Sequence, residues 1–252
     1  MKFSYLTDPG KVRDHNEDSV TIIKNETGQI LMAVADGMGG HKGGEIASSI
    51  AITHIGKRFM DTSTVGDKED AIKFLKEIVS EANMLLYKYT EDNPESTGMG
   101  TTLVLALLTD KFLLFGNIGD SSGYAIKKKK LYKITNDHTL VNLLVRSGEI
   151  SEEAAKDHPR KNVLMRALGA NNTVEMDIFD VERDVEGIFL CSDGLTNMLD
   201  NEQIESVLDS DLSIDEKLKK LINKANNRGG TDNISVAYLK KEENEWLQGD
   251  KW

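Results

Sequence analysis

Apolar positions along this chain follow two rhythms that alternate from segment to segment. Short runs dense in Val, Ile, Leu and Phe stand at 19–24, 30–35, 101–108, 112–118, 123–127, 131–134, 174–181, 187–191 and 234–240. Turn residues bound most of them, at 25–28, 109–110 and 119–122, and each run predicts a β-strand. Two longer blocks repeat with a helical period. Ile46, Ile50, His54, Ile55 and Phe59 mark one face of 43–60. Ile72, Leu75, Ile78, Val79, Ala82, Leu85, Leu86 and Tyr89 mark one face of 68–91. The polar loop between these two helices predicts an antiparallel pair. Shorter helical sets at 139–147, 151–157, 201–208 and 213–226 fall between the later strands. Strands in hairpin order, with helices arriving in pairs, predict an α+β fold of mostly antiparallel sheets covered by helices.

Composition narrows the class. A chain of 252 residues without internal repeats or a low-complexity linker fits one large domain. The single cysteine, Cys191, excludes an internal disulfide and suits a reducing compartment. It lies inside an apolar run without a histidine partner, which predicts a small core residue and not a nucleophile. The first residues, MKFSYLTDPG, lack the apolar core of a signal peptide. Apolar runs such as 103–108 fall far short of the ~20 residues that span a membrane. A cytoplasmic protein with no membrane contact is expected. Lys and Arg total 31 against 42 Asp and Glu, a formal charge of −11, which argues against nucleic acid as a partner. The one basic run, 127–130, reads as a solvated hairpin tip. The segment 241–252 reads as a charged tail carrying Trp246 and Trp252.

The chemistry lies in aspartates at the ends of apolar runs. ILMAVADGMGG places Asp36 after a buried strand, LLFGNIGDSS places Asp120, IFLCSDGL places Asp193, and GGTDNISVAYL places Asp232 just before one. Glu17 and Asp18 follow Arg13 in VRDHNEDS. Two like charges 4 Å apart repel by about 1 kcal/mol in water and about 4 kcal/mol at an effective dielectric of 20. Clustered carboxylates must therefore take up protons or capture a cation. An all-oxygen set selects a hard ion, Mg²⁺, Mn²⁺ or Ca²⁺, and the EF-hand spacing is absent. Taken singly, each Asp-Gly has an ordinary reading as a turn or helix cap. The glycines of 37–44 lack the G-K-[ST] ending of a phosphate loop and let the backbone approach a metal, with the Gly37 carbonyl as a natural ligand. His41 and Lys42 are candidates for proton transfer or substrate contact. His15, His54, His138 and His158 read as structural.

The segments VRDHNEDS, VADGMGGHKGGEIAS, GMGTTLVLALL, NIGDSSGY, DHTLVNLLVRSGEI, VLMRALG, LCSDGLTNML and RGGTDNISV occur in the order seen in the metal-dependent protein phosphatases. This chain resembles that family, the type 2C serine/threonine phosphatases, and most of all its compact bacterial members. The resemblance runs from about residue 3 to 240. It implies an α-β-β-α sandwich of two mostly antiparallel sheets flanked by helix pairs, with a catalytic domain over 1–240 and a flap over about 137–168. It implies two or three Mn²⁺ or Mg²⁺ ions per chain. Asp36 would bridge two of them, Gly37 would add its carbonyl, and Asp193 and Asp232 would complete the first position. Asp120 with Asp193 would form a weaker third. Glu17 and Asp18 would hold waters on the ions, and Arg13 would clamp the substrate phosphate. Two departures stand out. Met38 occupies the place of the histidine that follows the bridging Asp-Gly in animal members, which leaves the general acid unassigned between His41 and a water. Ser122 replaces the usual arginine after Gly-Asp-Ser.

The resemblance implies hydrolysis of phosphoserine and phosphothreonine by water activated on the metals, without a phosphoenzyme. Phosphoproteins and a Hanks-type Ser/Thr kinase would be the partners of a monomeric enzyme. Three alternatives stay open: an inactive phosphatase-like module that senses phosphopeptide or metal, a small-molecule phosphomonoesterase, and a structural calcium-binding domain.

Overall fold

Along the central strands, side chains of alternate parity enter different cores, because both faces of each sheet are covered. The structure, a computed structural model, describes residues 1–39 and 42–242. His41 and the two tryptophans of the tail lie outside the described residues. In β3 (Ile30–Met38), Leu31, Ala33 and Ala35 join one core while Ile30, Met32 and Val34 join another. In β5 (Leu103–Leu108), Leu103, Leu105 and Leu107 divide from Val104, Ala106 and Leu108 in the same way. Continuous apolar runs, and not alternating ones, are the result.

One sheet orders as β2 (Asp18–Lys24), β3, β5, β6 (Leu113–Ile118) and β9 (Asp177–Val181), with the two-residue β4 (Gly100–Thr101) paired to β3. The other orders as β1 (Lys2–Asp8), β11 (Ile234–Lys240), β10 (Gly187–Cys191), β7 (Ser122–Lys127) and β8 (Lys130–Lys133). Every strand pairing among the described residues is antiparallel.

Three cores stack through the molecule. Helices α1 (Gly43–Met60) and α2 (Lys68–Asp92) cover the first sheet through Ile55, Phe59, Leu75, Ile78 and Leu86. Val34, Val104, Phe115, Ile188 and Ala237 fill the space between the sheets. The second sheet is covered by α5 (Asp193–Thr196), α6 (Asn201–Leu208) and α7 (Ile214–Asn227), through Leu195, Ile204, Leu218 and Leu221 against Phe189 and Val236. The expected α-β-β-α layering is the one observed. Asp67 caps α2, and reciprocal capping boxes start α6 at Asp200/Gln203 and α7 at Ser213/Glu216.

Several boundaries differ from the sequence reading. The segment 2–8, which carries no strand signal, is β1. Its bulky Phe3 and Tyr5 face solvent, so hydrophobicity does not mark an inward face there. The run 101–108 is divided at Thr102, whose backbone N–H and hydroxyl both serve Asp36. The run 174–181 is extended only from Asp177. Within 137–168 lie α3 (Leu140–Arg146) and α4 (Glu152–Lys156), two short helices without a buried residue. His54, with Arg58, binds Glu81 and so ties α1 to α2. The hairpin tip 127–130 is solvated as expected. Lys128 and Lys129 take left-handed backbone there, and their N–H groups donate to the Glu186 carboxylate.

Candidate metal centre and active site

The end of β3 meets the ends of β10 and β11 and the turn after β6, and this junction brings the distant aspartates together. A cleft of about 410 Å³ is lined by Arg13, Glu17, Asp36, Gly37, Asp120, Asp193 and Asp232, and also by Met38, Gly39, Thr102, Asn162 and Leu164. Asp18, the remaining acidic candidate, lies buried behind this cleft and faces Asp36 across the β2–β3 ladder. The described candidates therefore share one neighbourhood, and His41 lies outside the described residues.

Local geometry holds each carboxylate. The backbone of Asp36 is fixed on both sides: Thr102 Oγ1 accepts from its N–H at 3.0 Å, and the Thr101 hydroxyl donates to its carbonyl at 2.9 Å. Asp193 opens the short helix α5 and accepts from Asn197 Nδ2 at 3.0 Å. Asp232 precedes β11 and accepts from Arg13 Nη2 at 2.8 Å. Asp18 Oδ2 accepts from the Ser192 hydroxyl at 2.7 Å, while its Oδ1 is buried without a hydrogen-bond partner. Asn233 closes the floor by accepting from the Glu17 N–H and donating to the carbonyls of Pro9 and His15.

Two glycines are required by close approach. A Cβ on Gly37 would stand 2.1 Å from the Gly44 carbonyl oxygen and 2.5 Å from that of Glu17. A Cβ on Gly194 would stand 2.0 Å from the Asn233 carbonyl oxygen. No side chain fits at either place, so the backbone itself lines the site.

The electrostatics are those of carboxylates that resist ionisation together. Burial first, and then the negative charges of Asp18, Asp193, Asp120 and Asp232, hold Asp36 well above the usual carboxylate range. Burial likewise pushes Asp18 and Asp120 up to about 7, each with Asp193 as a further cause. Asp193 is raised by burial and by Asp232, against hydrogen bonds from Asn197 and Asp36. Burial also raises Glu17. Such a set is relieved by protons or by cations.

The donors fit a hard divalent ion in kind. They are oxygens throughout, one of them, Asp18 Oδ1, is orphaned, and a backbone carbonyl lies beside the cluster at Gly37. Among the described residues, no three Asp, Glu, His or Cys groups stand close enough to close on one ion. Asp232 is drawn to Arg13 and Asp193 to Asn197, and an ion would have to draw both inward.

Sequence reading missed the residues that hold the acids in place. Thr101, Thr102, Ser192, Asn197 and Asn233 orient them, and Asn162 and Leu164 reach the cleft from the segment 137–168. The Thr-Thr pair in GMGTT and the Asn after Asp232 were visible only as parts of longer motifs. His138 has a structural role, clamping the turn before Asp120. Its Nδ1 accepts from the Gly119 N–H at 3.1 Å and its own N–H donates to the Gly119 carbonyl at 2.9 Å. Cys191 is fully buried and burial pushes its thiol up, as a core residue requires.

Comparison with known proteins points the same way. Residues 11–240 match the family described as Protein phosphatase 2C. The serine/threonine phosphatase stp of Listeria welshimeri is 40% identical over 242 residues, which span 96% of each chain. Protein phosphatase PhpP of Streptococcus pneumoniae is 35% identical over 246 residues, covering 96% of this chain and 98% of its own. The crystal structure of serine/threonine phosphatase Stp1 from Staphylococcus aureus matches with a TM-score of 0.90 at 34% identity, over 96% of this chain and 95% of that one.

Proposed function

This chain belongs to the protein phosphatase 2C family and is a protein serine/threonine phosphatase, and from that premise we propose that it removes phosphate by direct attack of water in the cleft of Asp36, Asp193 and Asp232. The family depends on manganese or magnesium in general. The observation that carries the site assignment is the convergence of four aspartates from distant strand ends, with Arg13, on one cleft. Asp36, Gly37, Asp193 and Asp232 would hold two ions, and Asp120 with Asp193 a third. Divalent cations held there supply Lewis acidity, which makes water nucleophilic near neutral pH and offsets phosphoryl charge.

The chain's own groups do the rest. Arg13 already reaches the cleft, where its guanidinium pairs with Asp232. Its fork matches a phosphate, and engaging substrate frees Asp232 to act as a ligand. Asp18, anchored by the Ser192 hydroxyl, presents its orphaned oxygen as an acceptor for an ordered water. Thr101 and Thr102 keep Asp36 from following the charge. Asn162 and Leu164 line the cleft wall beside the entering peptide. Proton return to the leaving alkoxide falls to His41 or to a water, since Met38 cannot supply it. We assign the chain a kinase-opposing role as a monomer, with phosphoproteins as its substrates. The inactive-module reading gains no support, because every expected acidic ligand is present.

The test is hydrolysis of a phosphothreonine peptide with Mn²⁺, with and without a chelator, for the native chain and for Asp193→Ala. We expect turnover only with metal, and a loss of at least ~10³-fold in the variant. Chelator-resistant turnover, or a fully active Asp193→Ala protein, refutes the site assignment.

A further inference from the structure

Lys217 is a buried cation without an ion-pair partner among the described residues. It sits on α7 with 3% of its surface exposed, and its ammonium makes one hydrogen bond, 2.6 Å to the Leu208 carbonyl. Burial, and then the charge of Lys240, hold its pKa below the usual lysine range, against the pull of Asp209 and Asp211. A buried ammonium with unspent donors is costly, and a second ammonium beside it adds to the cost.

Two cavities of about 490 and 710 Å³ adjoin at this point, and Tyr238 and Lys240 line both. Lys217 lines the larger one. Tyr238 is 3% exposed, with its ring packed edge-on against Phe189. Its hydroxyl has no hydrogen-bond partner among the described residues, and burial pushes its pKa up to about 12, so it remains a donor. Of the acids nearby, Asp211 lines the larger cavity with Lys217, and Glu242, also on that cavity, pairs with Lys2. Asp209 pairs with Lys129, Asp184 with Lys127, and Glu186 takes the N–H groups of Lys128 and Lys129.

We infer that Lys217, Tyr238 and Lys240 form a second ligand site, which binds the phosphate group of a small molecule at the end of the second sheet remote from the catalytic cleft. A phosphate dianion matches two ammonium charges, accepts from the phenol, and presents enough oxygens to use the unspent donors of Lys217. Asp193 and Asp232 lie beyond the other ends of β10 and β11, and the length of β11 separates the two sites by roughly 20 Å. Cavities of this size admit a mononucleotide or a sugar phosphate as well as the bare ion.

The experiment is titration of inorganic phosphate into the full chain in the presence of a chelator, where the acidic cleft repels the anion, followed by backbone amide shifts. We expect shifts at Lys217, Tyr238 and Lys240 and none at Asp36 or Asp193. Acetate, with a single charge, should need a higher concentration for the same shifts. Lys217→Met should fold, because it removes a buried charge without an ion-pair partner at similar volume, and should bind phosphate about tenfold more weakly or worse. Tyr238→Phe should weaken binding less while keeping the ring packing. Basal phosphopeptide turnover should be unchanged in both. Shifts confined to the cleft, no shifts at all, or a folded Lys217→Met protein that binds phosphate like the native chain would overturn the inference.

Discussion

Asp18→Asn should stabilise the metal-free protein while weakening its hold on metal. Asp18 is 7% exposed, its Oδ2 is satisfied by Ser192, and its Oδ1 has no partner. Asparagine keeps the shape and the acceptor for Ser192, and it removes one negative charge from the group that includes Asp193 and Asp232. The carboxyl's pKa is 3.8 without the fold and about 7 within it. At about 1.4 kcal/mol per pKa unit, keeping this group ionised in the folded chain costs roughly 4 kcal/mol. Neighbouring carboxyls can carry the proton in its place, so we expect a gain of about 1–3 kcal/mol at pH 8.

The sign follows from the raised pKa. At this carboxyl the folded chain holds its proton more tightly than the unfolded chain, so the group's contribution to stability is fullest below about pH 4 and is lost as pH rises through about 7. The variant lacks this loss. In a chelator, the midpoints of thermal unfolding should therefore coincide near pH 4, diverge up to about pH 7, and then run parallel. For a chain of this size the separation should be about 2–4 °C per kcal/mol. Added Mn²⁺ should raise the native midpoint more than the variant's. A gap that is the same at pH 5 and pH 8, or a variant less stable than the native chain at pH 8, would show that the Asp18 carboxyl is not held above its ordinary range.

Other consequences are as specific. Arg13→Ala should lower kcat/KM on phosphopeptide by about 10²–10³-fold, yet the Mn²⁺ concentration for half-activation should hold or fall, because Asp232 loses its competing partner; a clear rise would contradict the Arg13–Asp232 account. Gly194→Ala forces a Cβ to within 2.0 Å of the Asn233 carbonyl. We expect at least ~1–3 kcal/mol of destabilisation, read as a lowered unfolding midpoint or loss of soluble protein, and a native-like midpoint would show that the floor can shift. His138→Ala removes the side-chain acceptor for Gly119; stability should fall by about 1–2 kcal/mol, and terbium or Mn²⁺ titration should show weakening of the Asp120 position ahead of the others. Equal weakening at every position would make His138 merely structural.

Much of this site was legible in one dimension because burial on both faces leaves a plain mark. Strands β3, β5, β6, β10 and β11 are continuous apolar runs, and an aspartate at the end of such a run is conspicuous. The helices α1 and α2 carry a clear period, and Gly-Asp and Asp-Gly junctions mark where strands stop. Strand β1 was illegible for the opposite reason. It sits at a sheet edge, exposes Phe3 and Tyr5, and owes its conformation to pairing with β11, more than 225 residues away in sequence.

Local periodicity was enough to mark the helix pair α1–α2, most of the central strands and the acidic residues beside their ends, while the sandwich layering came from the family resemblance. Which groups meet depends on the folded arrangement. It placed Thr101 and Thr102 under Asp36, Ser192 against Asp18, Arg13 on Asp232 and His138 on Gly119. It also buried Lys217 beside Tyr238 at the far end of the sheet. Such contacts join residues remote along the chain. A hydrogen bond depends on distance in space, and no periodicity in a sequence records it.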